Sequence, residues 1–387
     1  MLRTISLLFA MTCAAAAQDA AALPRWTPGV MEIHQIATGR GNAALLILPD
    51  GTSLLVDAGG AGNGLPETDP HPNGSRPPGE WIARYARRHL PEGAQRLDYA
   101  LITHFHADHM GGLADFAHEL PIATLIDRGW PDYRYPAPDD SLAAYRRFLD
   151  GARADGMTVE RFQPGSSRQI LLRRSTAEYP VFEIRNIIGN GELWNGEGES
   201  ARPLFPALDT IPRGDWPTEN MCSLGIRITY GRFRYFTGGD LPGTPDPGFP
   251  AWQALEAAAA PAIGKVDVHV VNQHGSIGEE SEPFLAALES TVLIVPSWAP
   301  SHPAPDVLKR VMNSRLPPAA RYVFATDLRQ AARTVIGPRT AQLAAPPGHI
   351  VVRVAEGGES YRVYVLDAGN EQDRVIAMKG PFRAAGR

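Results

Sequence analysis

The sequence predicts an α/β protein whose pattern fits a four-layer αββα sandwich, and three observations lead there. Short apolar runs precede helical stretches through most of the chain. Hairpin patterns stand near both ends, at residues 30–56 and 349–366. Three imidazoles and a carboxylate, His104, His106, Asp108 and His109, fall where the apolar run Leu97-Asp98-Tyr99-Ala100-Leu101-Ile102 should end. Polar side chains that dense are costly to desolvate beside a buried strand unless something binds them.

Composition bounds the reading. A chain of 387 residues, 44% hydrophobic and 20% charged, has core enough for one large domain or two ordinary ones. A net charge of -5 gives no global reason to bind nucleic acid or an anionic membrane. Arg3, an apolar stretch over 5–11 and Ala14-Ala15-Ala16-Ala17 read as a signal peptide over residues 1–17, cleaved after Ala17. The mature protein is therefore expected in the periplasm or secreted. Cys13 raises a lipoprotein alternative, but Ala10-Met11-Thr12 makes a poor lipobox. No other apolar run is long enough to span a bilayer. Cleavage leaves Cys222 alone, so no internal disulfide forms. Residues 18–370 read as a single domain with a long insertion around 189–219, and residues 371–387 as a poorly ordered tail. No protein partner is evident.

In order, residues 30–37, 43–48 and 53–56 read as strands, with Pro49-Asp50-Gly51-Thr52 turning between the last two. The third ends in Asp57-Ala58-Gly59-Gly60, where Asp57 either caps a turn or accepts a hydrogen bond from a metal-bound histidine. Residues 61–79 form a Gly/Pro/Asn-rich loop; His71 reads as solvated there, with no second ligand beside it. Residues 80–90 read as a helix whose Arg84, Arg87, Arg88 and His89 make a solvated face. A strand follows at 97–102, a helical pattern to about 120, a strand at 122–127 and a helix at 141–154 with Ser141 as N-cap. The Gly/Pro-rich segment 189–219 is either a flap or an insertion. A hairpin turning at Gly231 ends in Asp240. A helix at 252–260 leads to a buried strand at 266–271, with His269 a hydrogen-bonded core residue, then Asn272-Gln273-His274-Gly275-Ser276. Residues 292–296 and 321–326 are strands, separated by Ser301-His302-Pro303 and a helix at 305–313.

Imidazole and carboxylate are the groups that hold zinc and related ions at neutral pH. His104 and His106, two apart, project to one side of an extended chain. The amides of Met110, Gly111 and Gly112 open a helix and are expected to hold an anionic substrate oxygen.

The pattern His104-x-His106-x-Asp108-His109 resembles the signature of the metallo-β-lactamase superfamily, and Val56-Asp57-Ala58-Gly59 its Val-Asp-x-Gly stretch. The resemblance implies the αββα fold and two divalent ions, zinc first and manganese second. It places His104 and His106 on one ion, Asp108, His109 and His274 on the other, and Asp240 between them. Asn220-x-x-Ser223, then Gly239-Asp240, then His274-Gly275-Ser276 look like the nuclease domain of ComEC-type DNA-uptake proteins, with Gln273 where that family has another histidine. No histidine lies between Glu119 and Glu219, so Asn220 is the candidate for the missing third position on the first ion. The expected activity is metal-dependent hydrolysis of a phosphodiester, in DNA or a nucleotide. Asp108 and His302 stand in catalytic positions; Asp57, Asn220 and Ser276 support the ligands. His302 would protonate a leaving oxygen or steady a phosphate. Arg227, Arg232 and Arg234 would compensate locally for the acidic balance. Hydrolysis of a lactam, lactone or ester, and a non-catalytic metal-binding protein, are the alternatives.

Overall fold

The computed structural model describes residues 22–60, 68–133, 140–244, 248–313, 315–318 and 320–386, so the expected signal peptide lies outside the described residues. The chain first lays down β1 (Met31–Gln35), β2 (Ala44–Ile47), β3 (Ser53–Val56), β4 (Leu97–Leu101), β5 (Ile122–Asp127) and β6 (Thr158–Arg161). A second sheet follows from β7 (Phe182–Gly189), β8 (Glu192–Trp194), β9 (Ala201–Pro203), β10 (Gly225–Tyr230), β11 (Phe233–Thr237), β12 (Val268–Val270), β13 (Val292–Val295) and β14 (Tyr322–Ala325). The chain then returns to the first sheet with β15 (His349–Val354), β16 (Ser360–Leu366) and β17 (Val375–Arg383). The strand orders are β17-β16-β15-β1-β2-β3-β4-β5-β6 and β14-β13-β12-β11-β10-β7-β8-β9.

In central strands such as β2, β3 and β13 the apolar runs are continuous rather than alternating because both faces are covered. In β2, Leu46 points between the sheets, where it joins Val56, Leu101, Ile226, Ile228 and Ile294. Leu45, its neighbour, points outward with Leu55 under α1 (Pro78–His89) and α3 (Leu113–Glu119), which follows the single turn α2 (Ala107–Met110). α4 (Asp140–Ala154) completes that layer through Leu149. On the far side Phe236 packs under α5 (Leu255–Ile263) and α6 (Glu282–Leu288). Leu293 and Val295 pack under α7 (Pro305–Val311) and α8 (Gln330–Ile336). The result is the expected αββα sandwich. Truncating a fully buried residue such as Leu46 to Ala costs about 2–5 kcal/mol.

Two expectations need correction. The segment from Glu371 is not a loose tail: β17 pairs antiparallel with β16 and forms the edge of the first sheet. Nor is the basic face of α1 simply solvated. Arg84 Nε donates to Glu371 Oε1 (2.8 Å) and Arg88 Nε to Asp373 Oδ2 (2.6 Å), so that face grips the C-terminal segment. The 189–219 segment opens by extending the second sheet through β8 and β9. Among the described residues no helix is long and apolar enough to cross a membrane.

Strand direction places the site. β3, β4 and β5 run parallel, as do β11, β12 and β13. Crossover connections then deliver the residues that follow each parallel strand to one edge of its sheet, where ligands bind in open α/β folds.

Candidate metal centre

Asp57 follows β3 in the left-handed region (φ 59°), a conformation seldom adopted by non-glycine residues away from functional sites. Its fully buried carboxylate accepts four hydrogen bonds. Asn42 Nδ2 (2.8 Å), Thr103 N (2.8 Å), Thr103 Oγ1 (2.9 Å) and His109 Nδ1 (2.7 Å) donate them. Of the two sequence readings, the geometry is that of a histidine-orienting acceptor rather than a turn cap. Because Thr103 Oγ1 gives its proton to Asp57, it is left to accept from His104 Nδ1 at 3.1 Å. One carboxylate thus sets the tautomer of two imidazoles, directly for His109 and through a hydroxyl for His104. Both keep their Nε2 lone pairs for whatever lies in front of them.

The second sheet supplies the facing groups. Asp240 follows β11, and its amide donates to Ser223 Oγ at 3.1 Å. Gly239 before it has φ 61°, and a Cβ there would lie 2.8 Å from Thr103, so the two halves meet at a point only glycine fits. His274 lies in the turn after β12, also left-handed (φ 56°), and its Nδ1 donates to Pro296 O at 3.0 Å. Its Nε2 lone pair is thereby aimed at the first sheet's residues.

The aimed atoms converge. His109 Nε2 lies 3.2 Å from Asp240 Oδ1, 3.6 Å from Asp108 Oδ2 and 3.2 Å from His274 Nε2. His274 Nε2 is 3.0 Å from Asp108 Oδ2, and His104 Nε2 is 3.7 Å from Asp240 Oδ2. Two overlapping triads, His104/His109/Asp240 and Asp108/His109/His274, have ligand atoms close enough to share an ion. His106 stands at the exposed rim, its Nδ1 3.1 Å from His104 Nε2.

Electrostatics show the same demand for positive charge. Burial works against the imidazolium of His109, yet Asp240, Asp108 and Asp57 outweigh it and hold His109 well above the ordinary imidazole range. His274 is raised likewise, against burial, by Asp240 and Asp108. His104 goes the other way, lowered by burial and by the charge on His109. Asp240 is held well below the carboxylate range by His109, His274 and His104, although burial alone would raise it. Imidazole lone pairs facing each other at 3.2 Å repel unless a proton or a cation lies between them, so this donor set fits divalent metal.

The remaining expected residues divide. Glu219, which the sequence did not single out, accepts from Phe105 N (2.8 Å) and from Arg128 Nε (2.7 Å), with its other oxygen 2.6 Å from Arg128 Nη2. That clamp pins the end of the 189–219 segment between His104 and His106 and brings in Asn220, whose buried Oδ1 has no hydrogen-bond partner. An orphaned carbonyl oxygen there agrees with a role toward a cation. The ring of His302 stacks on that of His274 (centroids 4.9 Å apart, planes 16°), and burial beside His274 pushes it down to about 3. Ser276 is not brought in: its amide donates to Gln273 O, and it lines a separate apolar cleft of about 440 Å³ with Ile277, Pro303 and Val335.

Two further expectations are corrected. The amides of Met110, Gly111 and Gly112 are already donating, to His106 O, Ala107 O and Gly59 O, and none is free for a substrate oxygen. The arginines do not reach the site. Arg227 donates to Ala262 O and Ile263 O, and Arg232 donates to Ala385 O at the hairpin turn. Arg234 lies near that turn too, six residues or roughly 20 Å of strand before Asp240. His269 is the core residue expected, paired with Ser290 Oγ (2.7 Å) and Glu280 Oε2 (2.8 Å).

Several known proteins are similar. The Lactamase-like protein nscB of Arthroderma otae is 29% identical over 156 residues, 39% of this chain. The match spans 38% of that protein's length. Among solved structures, CmlA, a diiron beta-hydroxylase from Streptomyces venezuelae, is 16% identical with a TM-score of 0.40, covering 77% of this chain and 53% of its own. Zn(2+)-bound PqqB from Methylobacterium extorquens is 15% identical with a TM-score of 0.38, covering 68% and 88%. Igni18, a metallo hydrolase from Ignicoccus hospitalis, is 10% identical with a TM-score of 0.39, covering 83% and 98%. Likenesses this distant add no argument about chemistry. The profile described as Metallo-beta-lactamase superfamily matches residues 37–201, a stretch holding Asp57 and the whole histidine motif. That match covers less than half of the chain, and over those residues the chain is similar to the metallo-beta-lactamase superfamily.

Proposed function

We propose that the protein is an exported, metal-dependent hydrolase whose bound pair of divalent ions is held by His104, His106, Asp108, His109, Asp240 and His274. The observation that carries this is the alignment of three Nε2 lone pairs by Asp57, Thr103 and the Pro296 carbonyl onto one volume that Asp108 and Asp240 also face. When bound, such ions supply Lewis-acid polarisation and activation of water. Nitrogen and carboxylate donors suit zinc, and an amide oxygen from Asn220 in place of a histidine leaves manganese as the second choice.

The chain's own residues do the positioning. Asp57 holds His104 and His109 in one tautomer, and Ser223 holds the turn that presents Asp240. His302 accepts from Ala299 N at Nδ1 (3.4 Å), so its proton resides on Nε2. With burial and His274 pushing it down to about 3, the ring is neutral near pH 7. It is placed to steady a substrate oxygen by hydrogen bonding beside His274 rather than to act as a general acid.

The preferred substrate is a phosphodiester. The resemblance of Asn220-x-x-Ser223, Asp240 and His274-Gly275-Ser276 to ComEC-like nucleases, with Gln273 departing from their pattern, is what favours it. With Arg227 and Arg232 committed to carbonyls elsewhere, a nucleotide-sized substrate suits the site better than a long polynucleotide. A second reading, hydrolysis of an ester, lactone or lactam, draws on the apolar cleft lined by Ser301 and Pro303, the chain neighbours of His302, which suits an acyl or aryl arm.

Turnover of bis-(4-nitrophenyl) phosphate by zinc- or manganese-loaded protein, lost in His106→Ala, is the expected result. Metal-loaded protein that cleaves no phosphodiester but turns over aryl esters or nitrocefin would reverse the ranking. Export rests on residues 1–17, and N-terminal sequencing of the mature protein should begin at Gln18.

A further inference from the structure

We propose that Asp69, His71 and Asp327 form a separate divalent-metal site that ties the two halves of the sandwich together at their rims. Their ligand atoms lie within 4.8 Å of one another. The sequence reading left His71 without a second ligand, but the fold brings it two carboxylates, one from 256 positions away. His71 Nε2 is 3.8 Å from Asp327 Oδ2, close to the 3.7 Å between His104 Nε2 and Asp240 Oδ2 in the main cluster. Donors around a zinc ion at about 2.0–2.2 Å need only draw in by some tenths of an ångström from such a spacing.

A second observation points to a ligand. Asp327 Oδ1 accepts from Leu328 N at 2.6 Å, but its Oδ2 is shut off from water and accepts no hydrogen bond. A carboxylate oxygen left that way is expensive, and its nearest ionisable partner is His71. Arg329 does not satisfy the cluster. Its Nη1 lies 3.6 Å from Asp69 Oδ2, an ion pair too long for a hydrogen bond, and donates no hydrogen bond. Two carboxylates against one guanidinium leave a net negative charge for a cation to meet.

The backbone is already arranged for it. The amides of Asp69 and His71 donate to Gly39 O and Thr38 O, both at 3.0 Å, a few residues before Asn42, whose amide donates to Asp108 O. On the other side Ser297 Oγ donates to Asp327 O, and Ser297 follows Pro296, the acceptor for His274. An ion here would couple the loop after β3 to the end of β14, each a short step from the main cluster. One imidazole and two carboxylates suit zinc or manganese better than calcium, which favours an all-oxygen shell.

The test is zinc binding measured by equilibrium dialysis and elemental analysis on wild type, His71→Ala and Asp327→Asn. Each variant is expected to bind one ion fewer per chain than wild type, and the same single-ion loss is expected in an Asp240→Ala background. That second arm separates this site from the main one. If the main site fails to bind metal, wild type still holds one ion that His71→Ala removes. Zinc anomalous diffraction from wild-type crystals gives the position directly, whatever the variants do to folding. An unchanged ion count in both variants, or no anomalous peak between His71 and Asp327, overturns the proposal.

Discussion

The two halves of the sandwich contribute to the same pocket in different ways. The first sheet delivers His104, His106, Asp108 and His109 from one loop after β4, held from behind by Asp57 after β3. The second sheet delivers single residues from separate strand ends, Asp240 after β11 and His274 after β12. Behind them stand three buried glutamates. Glu256 accepts from Asn272 Nδ2, Glu280 N and Ser281 N, Glu280 pairs with His269, and Glu279 accepts from Gly243 N. One half concentrates its donors in a single loop; the other depends on long-range packing to bring each donor in.

The largest effect should come from the sparse half. Asp240→Ala removes the carboxylate that faces His104, His109 and His274, and should lower the proposed hydrolytic activity by about 10³-fold or more together with metal content. Asp57→Asn touches no ion. It replaces an acceptor with an amide that offers an N–H to His109, and should weaken metal affinity by about 10–100-fold while the fold persists, read by zinc titration. If Asp57→Asn proves the more damaging, the hub of the dense half governs the site and the comparison inverts. Glu219→Gln loosens the clamp on Phe105 and Arg128; a loss of about tenfold in kcat with KM little changed is expected, below the ~10²-fold of a 1 Å misplacement.

The smallest effect is on stability, and it belongs to the sparse half. Burial and the charge of Glu280 push Glu256 up to about 8; burial and the charge of Glu256 push Glu279 up to about 10. Both are raised above the value of 4.5 expected for an exposed glutamate. The folded state therefore binds more protons than the unfolded chain between these values. Their contribution is complete below about 4.5 and is lost as pH rises through about 8 and then 10. Thermal melts should show Tm falling across that window, with Glu279→Gln flattening the fall. An equally steep fall in the variant would assign it to other groups.

The same contrast explains what could be read in advance. Strands such as β2 and β13 are buried on both faces, so their apolar runs are unmistakable. β17 was missed because Gly380 and Pro381 interrupt its run and none of its residues is buried, so only pairing with β16 makes it a strand. α6 and α8, seven residues each, are too short to show a helical period. The histidine motif was legible because its four donors are local in sequence. Asp240 and His274 needed a family likeness, and Glu219 gave no signal at all, being an ordinary acid until the fold sets it against Phe105 and Arg128. The committed amides of Met110, Gly111 and Gly112 show the opposite error: a helix start looks available in sequence when its partners, such as Gly59 O, come from another strand's loop.

Pairing of β1 with β15, Met31 beside Val354, has a consequence for how the molecule comes into being. Until residues 349–354 have emerged, β1 presents an open edge and a row of unmet amides and carbonyls, a template for unwanted pairing. Nascent chains shortened before His349 should clump, even though they would already contain every candidate metal-binding side chain. Closure at such sequence distance is slow, so a newly made molecule stays vulnerable until β15 has docked against β1.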